Sequence, residues 1–173
     1  MGNLSEKLRK AGFYEKYSCL CHAGQGTSFA EVTVPEGIRS IDTGCFAESP
    51  VLVRVVLPEG LSEIGAGAFS ECPKLESVNL PEGIGRIRKE TFSGCLSLQE
   101  ISIPEGVTGI GEWAFRGCPS LRLVRIPESV TEICAESFLS CPEVVIEAPA
   151  GSYAEAFAEK FGIAHRVKGD GSF

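Results

Sequence analysis

The sequence is short of the residues that nucleic-acid binding and histidine chemistry require. Among its 173 residues are 16 lysines and arginines, 23 aspartates and glutamates and two histidines, which gives a formal net charge of -7. Binding to DNA or RNA depends on clustered basic side chains that displace the counterions of the phosphates. We therefore expect a partner other than nucleic acid.

The chain also lacks a long hydrophobic run. No stretch is long enough to cross a bilayer, and the N-terminal segment mixes charges with isolated leucines, unlike a secretory signal. As written, the chain is predicted to be cytoplasmic and without a membrane span. If it is a fragment of a longer exported protein, as the loose tail at 168–173 allows, a cell-surface location is expected instead.

Cysteine is plentiful, with eight residues, but its share is below that of small proteins held together by disulfides. Without an export signal a reducing compartment is the default, so free thiols are expected. Half of the cysteines recur at a fixed step: Cys72, Cys95, Cys118 and Cys141.

The whole sequence repeats itself with a period of 23 residues, and three residue types keep this step in one register. They are Pro35, Pro58, Pro81, Pro104 and Pro127; Ile41, Ile64, Ile87, Ile110 and Ile133; and Phe46, Phe69, Phe92, Phe115 and Phe138. Such self-similarity is typical of solenoids, in which stacked coils bury a core that a single repeat cannot form.

Each repeat predicts two short extended segments joined by a sharp corner. Apolar residues alternate before the proline, as at Val55 and Leu57, which is the period-2 pattern of a strand with one buried face. The Pro-Glu-Gly that follows places Pro and Gly where a type I turn prefers them, so the strand must end there. A second alternating segment follows, and the closing Ala-Phe-x-x-Cys is too short for a stable helix and predicts a single helical turn.

A unit such as 98–118 combines an aliphatic strand, Pro-Glu-Gly, Ile-Gly, Ala-Phe and Cys at fixed offsets. In this it resembles the BspA-type leucine-rich repeats, and the resemblance covers about residues 30 to 167. It implies an α/β repeat solenoid of right-handed stacked coils, with a short parallel β-strand per repeat and a helical cap at each end. We predict an N-terminal helical cap at 1–29, a solenoid of about five units at 30–149, a C-terminal capping helix and strand at 150–167, and a tail at 168–173.

The two caps follow from local signals. Ser152 and Glu155 form a capping box that opens a helix, and Gly162 ends it. The apolar face of this C-terminal lid is predicted to contain Tyr153, Phe157 and Phe161. At the other end, Asn3 with Glu6 is expected to cap a short helix that carries Leu4, Leu8 and Ala11 and is followed by Phe13, Tyr14 and Tyr17.

Few residues suggest a reaction or a bound metal. His22 and His165 lack the sequence context of a Ser/His/Asp or Cys/His arrangement. Cys19, Cys21 and His22 are spaced more tightly than usual zinc pairs, and no second pair follows. The row of four recurrent cysteines could in principle form disulfides between coils, but buried packing is the favoured interpretation. We expect no catalytic residue, metal or cofactor.

The predicted binding surface is the outer face of the strand before each corner. Alternation points one set of side chains away from the core there, and stacked sheets in solenoids form extended binding surfaces. The predicted binding residues are Arg54, Val56, Ser77, Asn79, Glu100, Ser102, Leu123 and Arg125, with Trp113 as an exposed contact elsewhere. The resemblance implies a non-catalytic protein-recognition module, and we expect a monomer that binds a protein or glycan partner.

Other functions stay open at this point. The chain could be a structural spacer domain of a larger surface protein or, more remotely, an enzyme. An acidic row could hold a cation or a basic partner, although a plain solvated surface is the favoured interpretation: Glu36, Glu59, Glu82, Glu105 and Glu128. For a basic patch, a surface salt network is the favoured interpretation: Arg86, Arg88, Lys89 and Arg116.

Overall fold

The computed structural model describes residues 6–10, 13–16, 19–22 and 27–169. Each repeat contributes one strand to each of two rows of parallel strands. The first row contains β3 (Glu31–Thr33), β5 (Arg54–Val56), β7 (Ser77–Val78), β9 (Glu100–Ser102), β11 (Leu123–Arg125), β13 (Val145–Ala148) and β14 (Ala164–Val167). The second row contains β4 (Ser40–Ile41), β6 (Glu63–Ile64), β8 (Arg86–Ile87), β10 (Gly109–Ile110) and β12 (Glu132–Ile133).

The register of the strands reproduces the period of the sequence. Arg54 pairs with Ser77 in the first row, and Ile41 pairs with Ile64 in the second, so partners are one repeat apart. Turns that carry the recurrent phenylalanines connect the second row to the next strand of the first, and we name them the turn row. The solenoid of stacked parallel coils predicted from the repeat is confirmed, with little helix outside the C-terminal cap.

The core is a column of phenylalanine rings inside the coils. From Phe46 to Phe138, successive rings lie 5.3 to 5.5 Å apart and within 8° of parallel. Phe46, Phe69, Phe92 and Phe115 are fully buried. Since each ring contacts the rings above and below it, every coil depends on its neighbours for burial.

The recurrent cysteine satisfies a buried carbonyl group. The Cys95 Sγ–H donates to the Phe69 carbonyl of the preceding coil at 3.2 Å, and the other members of the row make the same bond at 2.9 to 3.1 Å. Ser49 takes this position in an earlier coil, where its Oγ donates to the Phe46 carbonyl at 2.6 Å. The thiol therefore serves as a hydrogen-bond donor as well as a small apolar group.

The C-terminal lid is the helix α2 (Tyr153–Phe161). Ser152 Oγ accepts the Glu155 N–H, and Gly162 ends the helix with φ 66°, as predicted. Only one of the three predicted face aromatics is buried: Phe157 packs over Phe138 with ring centroids 6.3 Å apart. Tyr153 and Phe161 are exposed, so that part of the prediction is wrong.

The N-terminal end differs from the predicted helical cap. The helix α1 (Glu6–Lys10) is short, and an antiparallel hairpin of β1 (Phe13–Lys16) and β2 (Cys19–His22) follows it. Because β2 pairs with β4 and the Phe13 ring lies 5.1 Å from that of Phe46, the hairpin extends the second row and covers the end of the column. The predicted cap positions Asn3, Leu4, Ala11 and Tyr17 lie outside the described residues.

Candidate binding face

The first row brings together the eight strand residues predicted to bind a partner. Between them, inward-facing residues such as Val55 and Val124 are buried, so the alternation places the predicted side chains on the outer surface. Arg54, Glu100 and Ser102 are exposed, and Val56 keeps 42% of its surface accessible. Leu123 and Arg125 are half-buried.

Trp113 does not belong to this face. It lies in the turn row and is half-buried, with Lys89 Nζ 4.4 Å and Arg116 Cζ 5.2 Å from its ring centre. Its φ is 56°, in the left-handed region, where Gly44 and Gly67 stand in earlier coils. Instead of the predicted exposed contact, the structure shows a half-buried ring with two cations beside it, on a strained backbone.

The C-terminal half of the first row is electrostatically satisfied within the chain. Arg125 contacts Glu100 at 3.1 Å and Glu147 at 3.4 Å, and Arg166 contacts Glu147 at 2.6 Å. These side chains form one network across β9, β11, β13 and β14. Arg125 is therefore engaged in the solenoid itself.

Arg54 has a different environment. Of the three arginines on the strands of the first row, it alone makes no ion pair with a described residue. Its Nε is 3.5 Å from Ser77 Oγ, and the side chain is exposed. An exposed guanidinium without a carboxylate partner is free to contact a ligand.

The coil that contains β7 and β8 is tilted relative to its neighbours. Where Ile103 N–H donates to the Arg125 carbonyl at 2.9 Å, the equivalent Leu80 N–H makes no backbone hydrogen bond in the described chain. Accordingly β7 does not pair with β9, and the first row consists of two sheets, β3-β5-β7 and β9-β11-β13-β14.

The second row is divided one coil earlier. Thr108 N–H donates to the Gly85 carbonyl at 2.9 Å, whereas Gly85 N–H has no backbone acceptor among the described residues. β8 pairs with β10 and not with β6. The turn row of this coil stays bonded to the preceding coil, as the bond from Phe69 N–H to the Thr91 carbonyl at 2.9 Å shows. The coil therefore leans toward the preceding coil on the first row and toward the following coil on the second.

Two side-chain positions account for this tilt. Asn79 Oδ1 accepts the Leu57 N–H at 2.9 Å and Asn79 Nδ2 donates to the Leu57 carbonyl at 3.0 Å. This amide side chain thus takes the place of the backbone bonding at Leu57, beyond the paired residues of β5 and β7. Gly85 lacks a hydroxyl that other coils use to bind the preceding coil at 3.1 to 3.5 Å, from Ser62, Thr108 and Thr131. Both signals are visible in the aligned repeats, where Asn79 and Gly85 precede Ser102 and Thr108 by one period, but the period by itself does not predict a tilt.

The tilt opens a cleft in the predicted binding face. Its volume is about 620 Å³, and it is lined on one side by residues 76–80 and on the other by residues 99–102, with Arg54 and Arg125 at the ends. Val78 and Leu80 occupy core positions, yet both are only half-buried, while the equivalent Val55 and Leu57 are buried. The cleft therefore has an apolar floor and a polar rim.

The charged rows have simpler explanations. Three of the four residues of the predicted basic patch form surface ion pairs: Arg86 contacts Glu132 at 2.8 Å, Arg88 contacts Glu63 at 2.7 Å and Lys89 contacts Glu112 at 2.9 Å. Arg116 lies beside the Trp113 ring and forms no ion pair with a described residue. All glutamates of the acidic row are exposed at the corners, and none has an ion pair with a described residue: Glu36, Glu59, Glu82, Glu105 and Glu128.

Five of the described cysteines are free thiols: Cys72, Cys95, Cys118, Cys134 and Cys141. Burial raises the pKa of Cys72 to about 11 and that of Cys95 well above its ordinary value. Such thiols stay protonated and unreactive near neutral pH.

No cluster of three or more His, Cys, Asp or Glu in the described part of the chain is arranged to hold a metal. The side chains of Cys21 and His22 lie outside the described residues. His165 is exposed on β14, 3.9 Å from Glu159. Over the ranges that the structure describes, no helix has the length and apolar character of a membrane span.

The stacked coils and their strand face define a leucine-rich repeat solenoid. Residues 22–145 match the family model of the BspA type leucine rich repeat region in six copies. The chain therefore belongs to the BspA-type leucine-rich repeat family, as the resemblance of its repeats predicted. No curated protein matches it significantly.

Solved structures of bacterial leucine-rich repeat proteins have the same fold. A leucine rich cell surface protein from Faecalibacterium prausnitzii is 31% identical, with a TM-score of 0.75 over 83% of this chain and 39% of its own. A leucine rich repeat protein of T. pallidum is 32% identical, with a TM-score of 0.69 over 78% of this chain and 67% of its own. A third, from Bacteroides ovatus, is 29% identical, with a TM-score of 0.68 over 78% of this chain and 38% of its own.

Two of these three relatives are much longer than the chain. It spans about two fifths of the Faecalibacterium and Bacteroides proteins. The chain is thus a bacterial-type leucine-rich repeat domain, and the activity of a whole protein of this kind is a separate question.

Proposed function

We propose that the chain is a non-catalytic recognition module that binds a protein or glycan partner through the first row. The observation that carries this proposal is the exposed Arg54, which lacks an ion pair with any described residue beside a cleft in an otherwise regular sheet. Membership of a leucine-rich repeat family supports a surface built for contact rather than for chemistry. The likeness to a cell surface protein supports display outside the cell.

Charge reversal at Arg54 tests this proposal. The purified domain is screened against a panel of secreted proteins and a glycan array, and the affinity of each ligand found is then measured for two variants. Arg54→Glu should weaken binding about tenfold or more, because it removes the free cation and adds repulsion.

Arg39→Glu is the matched control, since Arg39 is an exposed arginine without a carboxylate partner among the described residues, outside the first row. It should leave the affinity unchanged. Equal loss in both variants would indicate nonspecific attraction to the net charge, and no loss in either would place binding elsewhere.

A second candidate function is a structural spacer inside a longer surface protein. It is favoured by the small share of the Faecalibacterium relative that the chain covers. A spacer tolerates charge reversal at Arg54, and deletion of one whole repeat would change only the distance between flanking segments. Retention of every binding activity in Arg54→Glu would favour the spacer over the recognition module.

A further inference from the structure

We propose that the cleft between β7 and β9 holds an extended peptide segment of a protein partner, in which an acidic side chain stands beside an aliphatic one. The inference rests on the proposed function, because it names the kind of partner that the first row binds. It is carried by three properties of the cleft: open backbone groups, an apolar floor and a free cation at the rim.

The backbone of both edges is open. The groups that would join β7 to β9 include the N–H of Leu80 and Glu100 and the carbonyls of Glu76 and Ser102, and none makes a backbone hydrogen bond in the described chain. Cα atoms of β7 and β9 still lie within 8 Å of each other, whereas a strand inserted between them would need about 9.5 Å. A peptide that lies along the mouth of the cleft can instead offer donors and acceptors to these groups from the outside. Elsewhere in the first row, neighbouring coils satisfy these groups with each other.

The floor of the cleft suits an aliphatic side chain. Val78 and Leu80 are core residues that the tilt leaves half-exposed, and Ile101 closes the other side. Covering them would remove apolar surface from water, as the regular coils already do at the equivalent positions. The volume of about 620 Å³ lies within the range of small-ligand sites, roughly 300–1,000 Å³.

The charges at the rim favour one carboxylate. Glu100 is neutralised by Arg125 at 3.1 Å, so it does not repel an acidic ligand strongly. Arg54 is free and can take a carboxylate in a bidentate contact. Glu76 has no ion pair with a described residue either, which disfavours a ligand with a run of acidic residues.

In an extended peptide, neighbouring side chains point to opposite sides. The aliphatic side chain would therefore face the floor while its neighbour reaches Arg54. A peptide fits these features better than a glycan, because the lining of the cleft contains no aromatic ring among the described residues on which a sugar could stack.

The test closes the cleft without adding bulk to it. Asn79→Ser introduces the residue found one repeat later, Ser102, and removes the amide that bonds Leu57. Gly85→Thr introduces the residue found one repeat later on the second row, Thr108. A Cβ at Gly85 meets no atom within 4 Å, so the threonine fits. The double variant should straighten the coil, and the amide exchange of Leu80 and Glu100 should slow about tenfold or more as their hydrogen bonds form.

Peptides are selected from a displayed library of random linear sequences on the intact protein, and a glycan array is run in parallel. The enriched peptides should share an acidic residue next to an aliphatic one. By fluorescence anisotropy, the affinity of the synthetic peptides should fall about tenfold or more in Arg54→Glu and in the double variant, and stay unchanged in Arg39→Glu.

The possible failures are distinguishable. Unchanged exchange at Leu80 and Glu100 in the double variant would overturn the account of the tilt. Peptides whose binding depends on Arg54 but is equally tight in the double variant would contradict binding in the cleft. The proposed function would not be affected by that result. Enrichment of glycans alone would overturn the peptide assignment, and ligands independent of Arg54 would overturn the proposed function itself.

Discussion

At the scale of single residues, the phenylalanine column is the main source of stability. Phe92 is fully buried between two parallel rings, so Phe92→Ala leaves a cavity that its neighbours cannot fill. We expect a loss of about 3 to 5 kcal/mol in the free energy of unfolding, measured by urea denaturation. Leu96→Ala, at a side chain that is 49% exposed, is the control and should change stability by less than about 0.5 kcal/mol. Similar losses in both variants would contradict the buried column.

The backbone at Trp113 allows a test with two variants of one position. Both Trp113→Gly and Trp113→Ala lose the ring and its contacts with Lys89 and Arg116, so their difference reports the backbone alone. Because φ is 56° there, the glycine variant should be the more stable by about 1 kcal/mol, the reverse of the usual order. Thermal or urea unfolding of the pair measures this, and a more stable alanine variant would contradict the left-handed conformation.

The buried thiol of Cys72 predicts that the free energy of unfolding depends on pH in the alkaline range. Burial raises its pKa from 9.0 to about 11 in the folded chain, so the unfolded chain ionises first. Above pH 9 this ionisation favours unfolding, and the stabilisation is lost as the pH rises through about 11. The free energy of unfolding of the wild type, minus that of Cys72→Ser, should therefore fall across this window. A difference that stays constant would contradict a buried neutral thiol.

Residue identity predicted the core well, because proline, isoleucine and phenylalanine recur under the same packing constraint in every coil. It failed where a position breaks the repeat. Trp113 stands where two earlier coils have glycine, and its pattern alone did not show that two cations flank the ring. Tyr153 and Phe161 follow helical spacing, but the residues of α2 that are buried against the coils are Ala154, Phe157 and Ala158.

At the scale of elements, the tilted coil is the feature that a regular repeat does not predict. Amides that lack a partner at the two breaks should exchange with solvent faster than their equivalents one coil later. We expect this for Leu80, Gly85 and Arg88, compared with Ile103, Thr108 and Gly111, which donate to carbonyls at 2.8 to 2.9 Å. Native-state hydrogen exchange by NMR measures each pair, and equal protection in all three pairs would contradict the tilt.

Of the two elements that cap the solenoid, the sequence predicts the C-terminal helix but not the N-terminal hairpin. The C-terminal helix is capped by Ser152 and Gly162, and both cap residues are local signals that a sequence displays. The N-terminal hairpin depends instead on the pairing of β2 with β4 and on Phe13 meeting Phe46, which are contacts between distant segments. Its short strands lie outside the 23-residue period, so the repeat does not predict them.

At the scale of the whole molecule, the solenoid separates structure from recognition. The repeat predicts the fold because each coil must present the same residues to the next, whereas the outer positions of the first row carry no such constraint. Their variation therefore locates a surface without naming its partner. The positions that break the repeat add to this: Asn79 and Gly85 mark the tilted coil, and the cleft that the tilt opens has Arg54 at its rim, without an ion pair to a described residue.

The central claim is that recognition takes place on the first row, at the break between β7 and β9. Hydrogen exchange of the intact protein, with and without a peptide selected on it, tests this claim most directly. Bound peptide should slow exchange at Leu80 and Glu100 and leave exchange at Gly85 and Arg88 on the second row unchanged. Protection confined to the second row or to the turn row, with Leu80 and Glu100 unaffected, would contradict it.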